Sequence, residues 1–445
     1  MSSFRAFLLA PVAGLSLLML TAVSATAEVE IEEITTPGGI EAWLVEDHSI
    51  PFVALELRFR GGTSLDEPDA LGSVSLMTSL LEEGTGQLDS RGFTREMEAI
   101  AADFNYSSHD DAVSISARFL TETKDRALEL LRGSIVEPNF DEDAIERVRA
   151  QLLASVNSDA KDPDSIVREK FASLVYGDHP YASPEDGTPE SIAALTRDDI
   201  LKAHSAVLAR DRLYVSAVGD ITREELSAML DTLLGDLPET GAPLPGDADL
   251  NLPGGIEVVE FETPQSVAIF GQRGLPREHP DFFAAFILNH IIGGGGFESR
   301  LMTEVREKRG LTYGVYSYLA DKDGADLWIG SVSSANDRVA EAIDVIRDEW
   351  ERIRSEGVTA EELEAAKTYI TGAYPLRFDG NGPIADITVG MQFNGLPTDY
   401  IVTRNDRMNA VTLEDINRVA RERLDPENLT FVVVGQPEGL TSTVN

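Results

Sequence analysis

The chain repeats itself, and that repeat limits the folds open to it. Residues 53–62 (VALELRFRGG) and 266–274 (SVAIFGQRG) are apolar strand patterns ending at glycine. A polar turn with Pro and Asp follows each, at 65–70 and 277–282, and then a helix pattern, at 71–82 and 283–292. Acidic helix starts recur at 141–146 and 359–364, where carboxylates suit the positive end of a helix. Residues 195–200 and 411–416 match closely and put Thr196 and Thr412 in capping position. Apolar strands at 213–220 and 429–436 close the halves. Six paired features in one order are the signature of a tandem duplication.

Between the halves, residues 237–255 hold Pro238, Pro243, Pro245 and Pro253 among Gly and Asp. Such a stretch sustains neither a helix nor a central strand and reads as an extended linker. The expected plan is a domain over 28–236, the linker over 237–255, and a second, homologous domain over 256–445. Strands lie before and after the helices without regular alternation. That order predicts an α+β fold, two tandem domains with helices packed on a mostly antiparallel sheet.

The first 27 residues read as a secretory signal: Arg5, an apolar run from Ala6 to about Val23, then the small-x-small triplet Ala25-Thr26-Ala27. No later segment is apolar and long enough to span a bilayer, so no membrane span is expected after signal removal. Cysteine is absent, which removes disulfides and a cysteine-linked lipid anchor. Export without cysteine fits a bacterial periplasm. The net charge of −40 argues against nucleic acid, since phosphate binding needs clustered Lys and Arg. That charge reads first as a hydrated surface, and second as a field that attracts basic peptides or a basic partner.

The most distinctive stretch is residues 293–318, GGGGFESRLMTEVREKRGLTYGVYSY. Four glycines end an apolar helix pattern, a charged helical segment runs from about Glu298 to Lys308, and an aromatic strand pattern begins at Leu311. The glycines lack the Lys of a phosphate loop, and Glu298 spoils a Gly-x-Gly-x-x-Gly pattern. From spacing alone, Arg306 belongs to a charged surface pattern and Tyr313 packs in a strand.

The two-half plan, the Gly-Thr-Ser-Leu-Asp-Glu-Pro turn at 62–68 and the Arg306/Tyr313 segment resemble the pitrilysin (insulinase) zinc metallopeptidases. Mitochondrial processing peptidase and paired bacterial periplasmic subunits belong to that family. Its active members carry an inverted zinc motif, His-x-x-Glu-His, on the first helix, with a distant Glu as third ligand. The helical His pair faces one metal, and the Glu activates its bound water. Here the matching stretch, residues 72–85, reads GSVSLMTSLLEEGT. Ser75 stands for the first His, Thr78 for the Glu and Ser79 for the second His. Neutral hydroxyls are poor zinc ligands and no base near neutral pH. No Glu lies between Glu146 and Glu169, so the third ligand is missing too. The closest two of the six histidines are eleven residues apart in the sequence, so no helical His pair exists. His179 and His290 read as turn or core residues.

The resemblance therefore implies a subunit without its own zinc. In the family, an Arg and a Tyr at this spacing reach towards the zinc site, hold the substrate backbone and stabilise the tetrahedral oxyanion. Carried over, those roles fall on Arg306 and Tyr313, acting in trans, with Arg309 and Tyr316 as neighbours of less certain role. A glycine-rich loop linked to substrate handling in zinc-less processing-peptidase subunits corresponds to Gly294 and Gly295, though its full motif is absent. Zinc and the water-activating Glu are then expected in a homologous, zinc-motif-bearing partner of a heterodimer acting on peptides. The competing expectation is a structural or binding scaffold of the same fold with no peptidase role.

Overall fold

The computed structural model describes residues 29–444. The signal segment expected at 1–27 lies outside the described residues. The first half forms β1 (Glu32–Thr35), β2 (Glu41–Glu46), β3 (Phe52–Arg60), a small hairpin of β4 (Gly84–Thr85) and β5 (Leu88–Asp89), then β6 (Asp103–His109), β7 (Ala112–Leu120) and β8 (Leu213–Gly219). The second forms β9 (Gly255–Glu260), β10 (Gln265–Arg273), β11 (Thr312–Lys322), β12 (Ala325–Ala335) and β13 (Thr430–Gly435).

Two main sheets result, in the orders β1-β2-β8-β3-β7-β6 and β11-β12-β10-β13-β9. Reading the second from its β9 end pairs β9 with β2, β13 with β8, β10 with β3, β12 with β7 and β11 with β6. Each sheet has one parallel neighbour pair, β2 with β8 and β9 with β13, and its remaining pairs are antiparallel. The duplication is thus a repeated topology, with β1 as an added edge strand. The capping residues also do what their sequence indicates. Thr196 and Thr412, and with them Thr359, each accept through Oγ1 from the backbone N–H of the third residue of the helix they open, whose carboxylate accepts from the Thr backbone N–H, closing a capping box.

Each half packs its own helices on one face of its sheet. Leu55, Leu57 and Phe59 of β3 enter one core, and Ala268 and Phe270 of β10 enter the other, against Trp328 and Trp350. The alternate residues of the same strands are also buried, because side chains on a strand point to opposite faces in turn. They meet a helix from the other half. The helix Pro163–Tyr176 lays Val167, Phe171 and Val175 on Val267, Ile269, Val432 and Val434 of the second sheet. Its counterpart Asn381–Phe393 brings Ala385 onto Ala54 and Val218 of the first sheet. The two halves therefore exchange one helix each.

Polar contacts lock the exchange. Ser216 Oγ and Thr388 Oγ1 are 2.6 Å apart, and the Val215 amide donates to Gln392 Oε1 at 2.8 Å. The Arg60 guanidinium lies 4.0 Å from the Phe393 ring centre. Gly271 is required by this packing: a Cβ there would come within 2.7 Å of Phe171 Cζ. The turn between β11 and β12 also crosses over. Lys322 pairs with Asp110, the Asp323 amide donates to Asp111 Oδ2 (3.1 Å), and the Gly324 amide donates to the Tyr181 hydroxyl (3.0 Å).

Truncating Phe171 removes the centre of one exchanged helix. Phe171→Ala is expected to cost about 3–5 kcal/mol, read as a lower urea midpoint. Fluorescence probes placed in either half should report the loss together.

Candidate functional site

The helix Ser73–Leu80 carries the positions that the resemblance assigns to zinc binding, and each hydroxyl there is either turned to the protein or left alone. Ser75 Oγ donates to Asp186 Oδ1 (2.5 Å), Ser79 Oγ donates to the Ser75 carbonyl (3.0 Å), and the buried Thr78 Oγ1 has no partner. Among the described residues, no group of three or more His, Cys, Asp and Glu side chains is arranged to hold a metal ion. These donors do not fit zinc, and no step is derived through one.

The second half holds a cleft of about 530 Å³. Its walls are built by the apolar helix Phe282–Asn289, the glycine segment after it and strand β11. The helix continues into a wider π-helical turn, His290–Gly294. A second π-helical stretch, Met302–Glu307, follows the glycines. Wide turns of this kind recur at functional sites because they redirect side chains. Gly293 lets the first turn lie against β11, where a Cβ would sit 2.4 Å from Ser317 Oγ. Buried Asn289 ties the parts together. Its Oδ1 accepts from Ser317 Oγ and Trp328 Nε1, both at 2.8 Å, and its Nδ2 donates to the Ser317 carbonyl at 3.1 Å.

Arg306 places its guanidinium 4.6 Å from the ring centre of Phe297, a cleft residue that is 64% exposed. Among the described residues Arg306 has no ion-pair partner. Its neighbour Glu304 engages others instead, accepting from Lys308 (2.7 Å), Arg309 (2.8 Å) and Arg352 (3.1 Å). Arg309 is thereby tied to structure, and Arg306 is the free cation of the segment. Burial works against ionising Glu304, but the three cations outweigh it and hold its pKa down at about 2.

Tyr313 is 86% exposed. The register of β11 against β12 is irregular between Thr312 and Val315, so Tyr313 and Gly314 bulge outward. Gly314 lines the cleft, and the exposed Tyr313 precedes it in the chain. Neither Arg306 nor Tyr313 lines the cleft itself: Arg306 meets it through Phe297, and Tyr313 precedes the lining residue Gly314. Gly294 lines the cleft as well; Gly295 is not part of its wall.

The cleft also holds residues to which the sequence reading gave no site role. Tyr316 and Tyr318 stack with ring centres 6.2 Å apart. His290 stacks on Tyr369 at 5.3 Å, and burial pushes its pKa down, which favours a neutral ring. The alternation Tyr313, Tyr316, Tyr318 is the available signal for an aromatic surface. Strand β11 ends the sheet, yet part of its edge is covered. The Val315 amide donates to Met302 Sδ (3.5 Å), and Asn289 holds the Ser317 carbonyl. The cleft therefore offers aromatic faces and one guanidinium, with little free backbone.

Residues 42–188 match the model of the insulinase family (peptidase family M16), and residues 194–370, which include Arg306 and Tyr313, match the peptidase M16 inactive domain. The chain belongs to the insulinase (M16) peptidase family. It is 27% identical over 411 residues to a non-peptidase homolog, YmxG, of Helicobacter pylori, covering 92% of this chain and 94% of that one. It is 24% identical to the uncharacterised zinc protease YmxG of Bacillus subtilis, across 88% and 95%. The crystal structure of a peptidase M16 inactive domain from Pseudomonas fluorescens superposes with a TM-score of 0.85 at 27% identity, over 94% of this chain and all of that one.

The Glu304 cluster makes a pH prediction. A carboxylate held at about 2, against an ordinary 4.5, contributes fully above about pH 4.5 and loses that contribution as the pH falls towards 2. Wild type is expected to lose unfolding stability over that window. Glu304→Gln should be weaker near neutrality and show a flatter acid limb.

Proposed function

We propose that this chain is a zinc-less subunit of a paired metallopeptidase, presenting Arg306 and Tyr313 to a peptide held at a zinc-bearing partner's site. The observation that carries the reading is a guanidinium without an ion-pair partner among the described residues, resting on Phe297 of an aromatic cleft, in a chain whose metal-helix positions are Ser75, Thr78 and Ser79. The name of the Helicobacter relative, a non-peptidase homolog, supports the absence of catalysis by this chain alone. The likeness to the Pseudomonas M16 inactive domain supports it as well.

The chemistry divides cleanly on this reading. The partner supplies zinc, the activating Glu and an edge strand on which a peptide is held by strand addition. This chain, whose β11 edge is partly covered by Met302 and Asn289, supplies side chains in place of backbone. Arg306 presents several donors in fixed geometry, and the Tyr313 hydroxyl presents one, both directed at the oxygen that gains charge during attack. The aromatic cleft takes an apolar side chain of the peptide. The N-terminal segment supports a periplasmic site of action.

The purified chain alone, given zinc and peptide, is expected to show no turnover, and robust zinc-dependent cleavage would sink the proposal. In a pair reconstituted with the zinc-motif homologue, Arg306→Ala is expected to lower kcat by about 100-fold and Tyr313→Phe by about 10-fold. KM should change little. Unchanged turnover in both variants would defeat the shared site.

A further inference from the structure

Beside the cleft, along the Phe282–Asn289 helix, lies a second cavity, of about 360 Å³. Phe286 lines both it and the cleft, so the two adjoin at that side chain. Its character is unusual for a chain with 77 acidic and 37 basic residues. Four arginines face it: Arg58 from the first half, and Arg277, Arg377 and Arg404 from the second.

Two of the four are neutralised. Arg58 pairs with Asp386, the carboxylate that also lines the cavity (3.1 Å), and Arg277 with Asp321 (2.9 Å). The other two have no carboxylate partner among the described residues. Arg404 is only 8% exposed. Its contacts are neutral: Nη1 donates to Asn405 Oδ1 (3.1 Å), and the Tyr374 ring centre lies 4.2 Å away. Burial, with the like charge of Arg377 added, pushes the Arg404 guanidinium below its ordinary range. A buried cation without a counter-charge is costly, and carboxylates are abundant in this sequence, yet none has been placed against it. Phe282, Phe286 and Met408 form apolar wall beside the two free guanidinium groups.

We propose that this cavity binds a carboxylate carried on an apolar or aromatic body, with Arg404 and Arg377 holding the carboxylate and the Phe282/Phe286 wall holding the body. Two sources share that chemistry: the C-terminus of a peptide and a free small acid. A planar guanidinium matches a carboxylate through paired hydrogen bonds, and the adjacent rings accept an apolar group without unmet polar atoms. Nothing in the assignment requires zinc or a partner subunit. It therefore stands or falls separately from the proposed peptidase pairing.

The test is ligand-observed NMR on the full mature chain with N-acetylphenylalanine and its amide as probes. The acid is expected to bind at least 10-fold more tightly than the amide, a ratio that Arg404→Gln and Arg377→Gln should each bring close to one. Arg377 is exposed, so its variant decides the matter should Arg404→Gln fold poorly. A tetrapeptide ending in a free Phe carboxylate that binds more tightly than N-acetylphenylalanine assigns the site to peptide ends, and equal binding assigns it to free acids. Equal binding of acid and amide would overturn the proposal, as would discrimination that survives in Arg377→Gln. Inorganic phosphate displacing the acid at equal concentration would also overturn it, since the site would then read charge alone.

Discussion

Two central strands buried on both faces set the terms for this molecule. Each half has enough helices to cover one face of its sheet, and the opposite face is covered only by a helix that the other half supplies. Val167, Phe171 and Val175 cross in one direction and the Asn381–Phe393 helix in the other. Fully burying an aliphatic or aromatic side chain contributes about 1.5–3 kcal/mol, so three such residues outweigh any single surface ion pair between the halves. The exchange makes the relative placement of the two sheets a consequence of core packing.

That placement gives strand β11 its role. At one end it carries Tyr313 and the cleft residue Tyr316. At the other, Lys322 pairs with Asp110 and lies over the Tyr181 ring in the first half. A single strand thus joins the free arginine of the second half to the first half, where the resemblance expects a metal and the structure has hydrogen-bonded serines. Electrostatics sort the arginines of the molecule into two kinds. Arg300, Arg309 and Arg352 are consumed by Glu304, Glu349 and Glu362 in holding helices together. Among the described residues Arg306, Arg377 and Arg404 have no carboxylate partner; Arg306 lies on Phe297 of the cleft, and Arg377 and Arg404 line the second cavity.

Much of the fold is legible without coordinates. The paired strands, the Thr196 and Thr412 caps and the mostly antiparallel sheets follow from patterns a few residues long, which local physics governs. The loss of the metal motif is equally legible, because zinc ligands are defined by residue type at fixed helical spacing and Ser75, Thr78 and Ser79 do not have that type. The charged segment beginning near Glu298 has the pattern of a simple helix; it includes a π-helical stretch, imposed by packing Leu301, Met302 and Val305 beneath β11.

The sequence by itself determined the duplication, the two-sheet architecture, the absence of a helical metal motif and the presence of Arg306 and Tyr313 at a helix-to-strand corner. Each of these rests on residue type and short-range spacing. Tertiary structure alone decided that the halves exchange helices, that Glu304 selects Lys308, Arg309 and Arg352 while leaving Arg306 free, and that Met302 and Asn289 cover part of the β11 edge. It also decided that Arg404 is buried facing Arg377 without a carboxylate. These outcomes depend on which distant side chains meet, and hydrogen bonds and burial between residues far apart in the chain leave no period in the sequence to read.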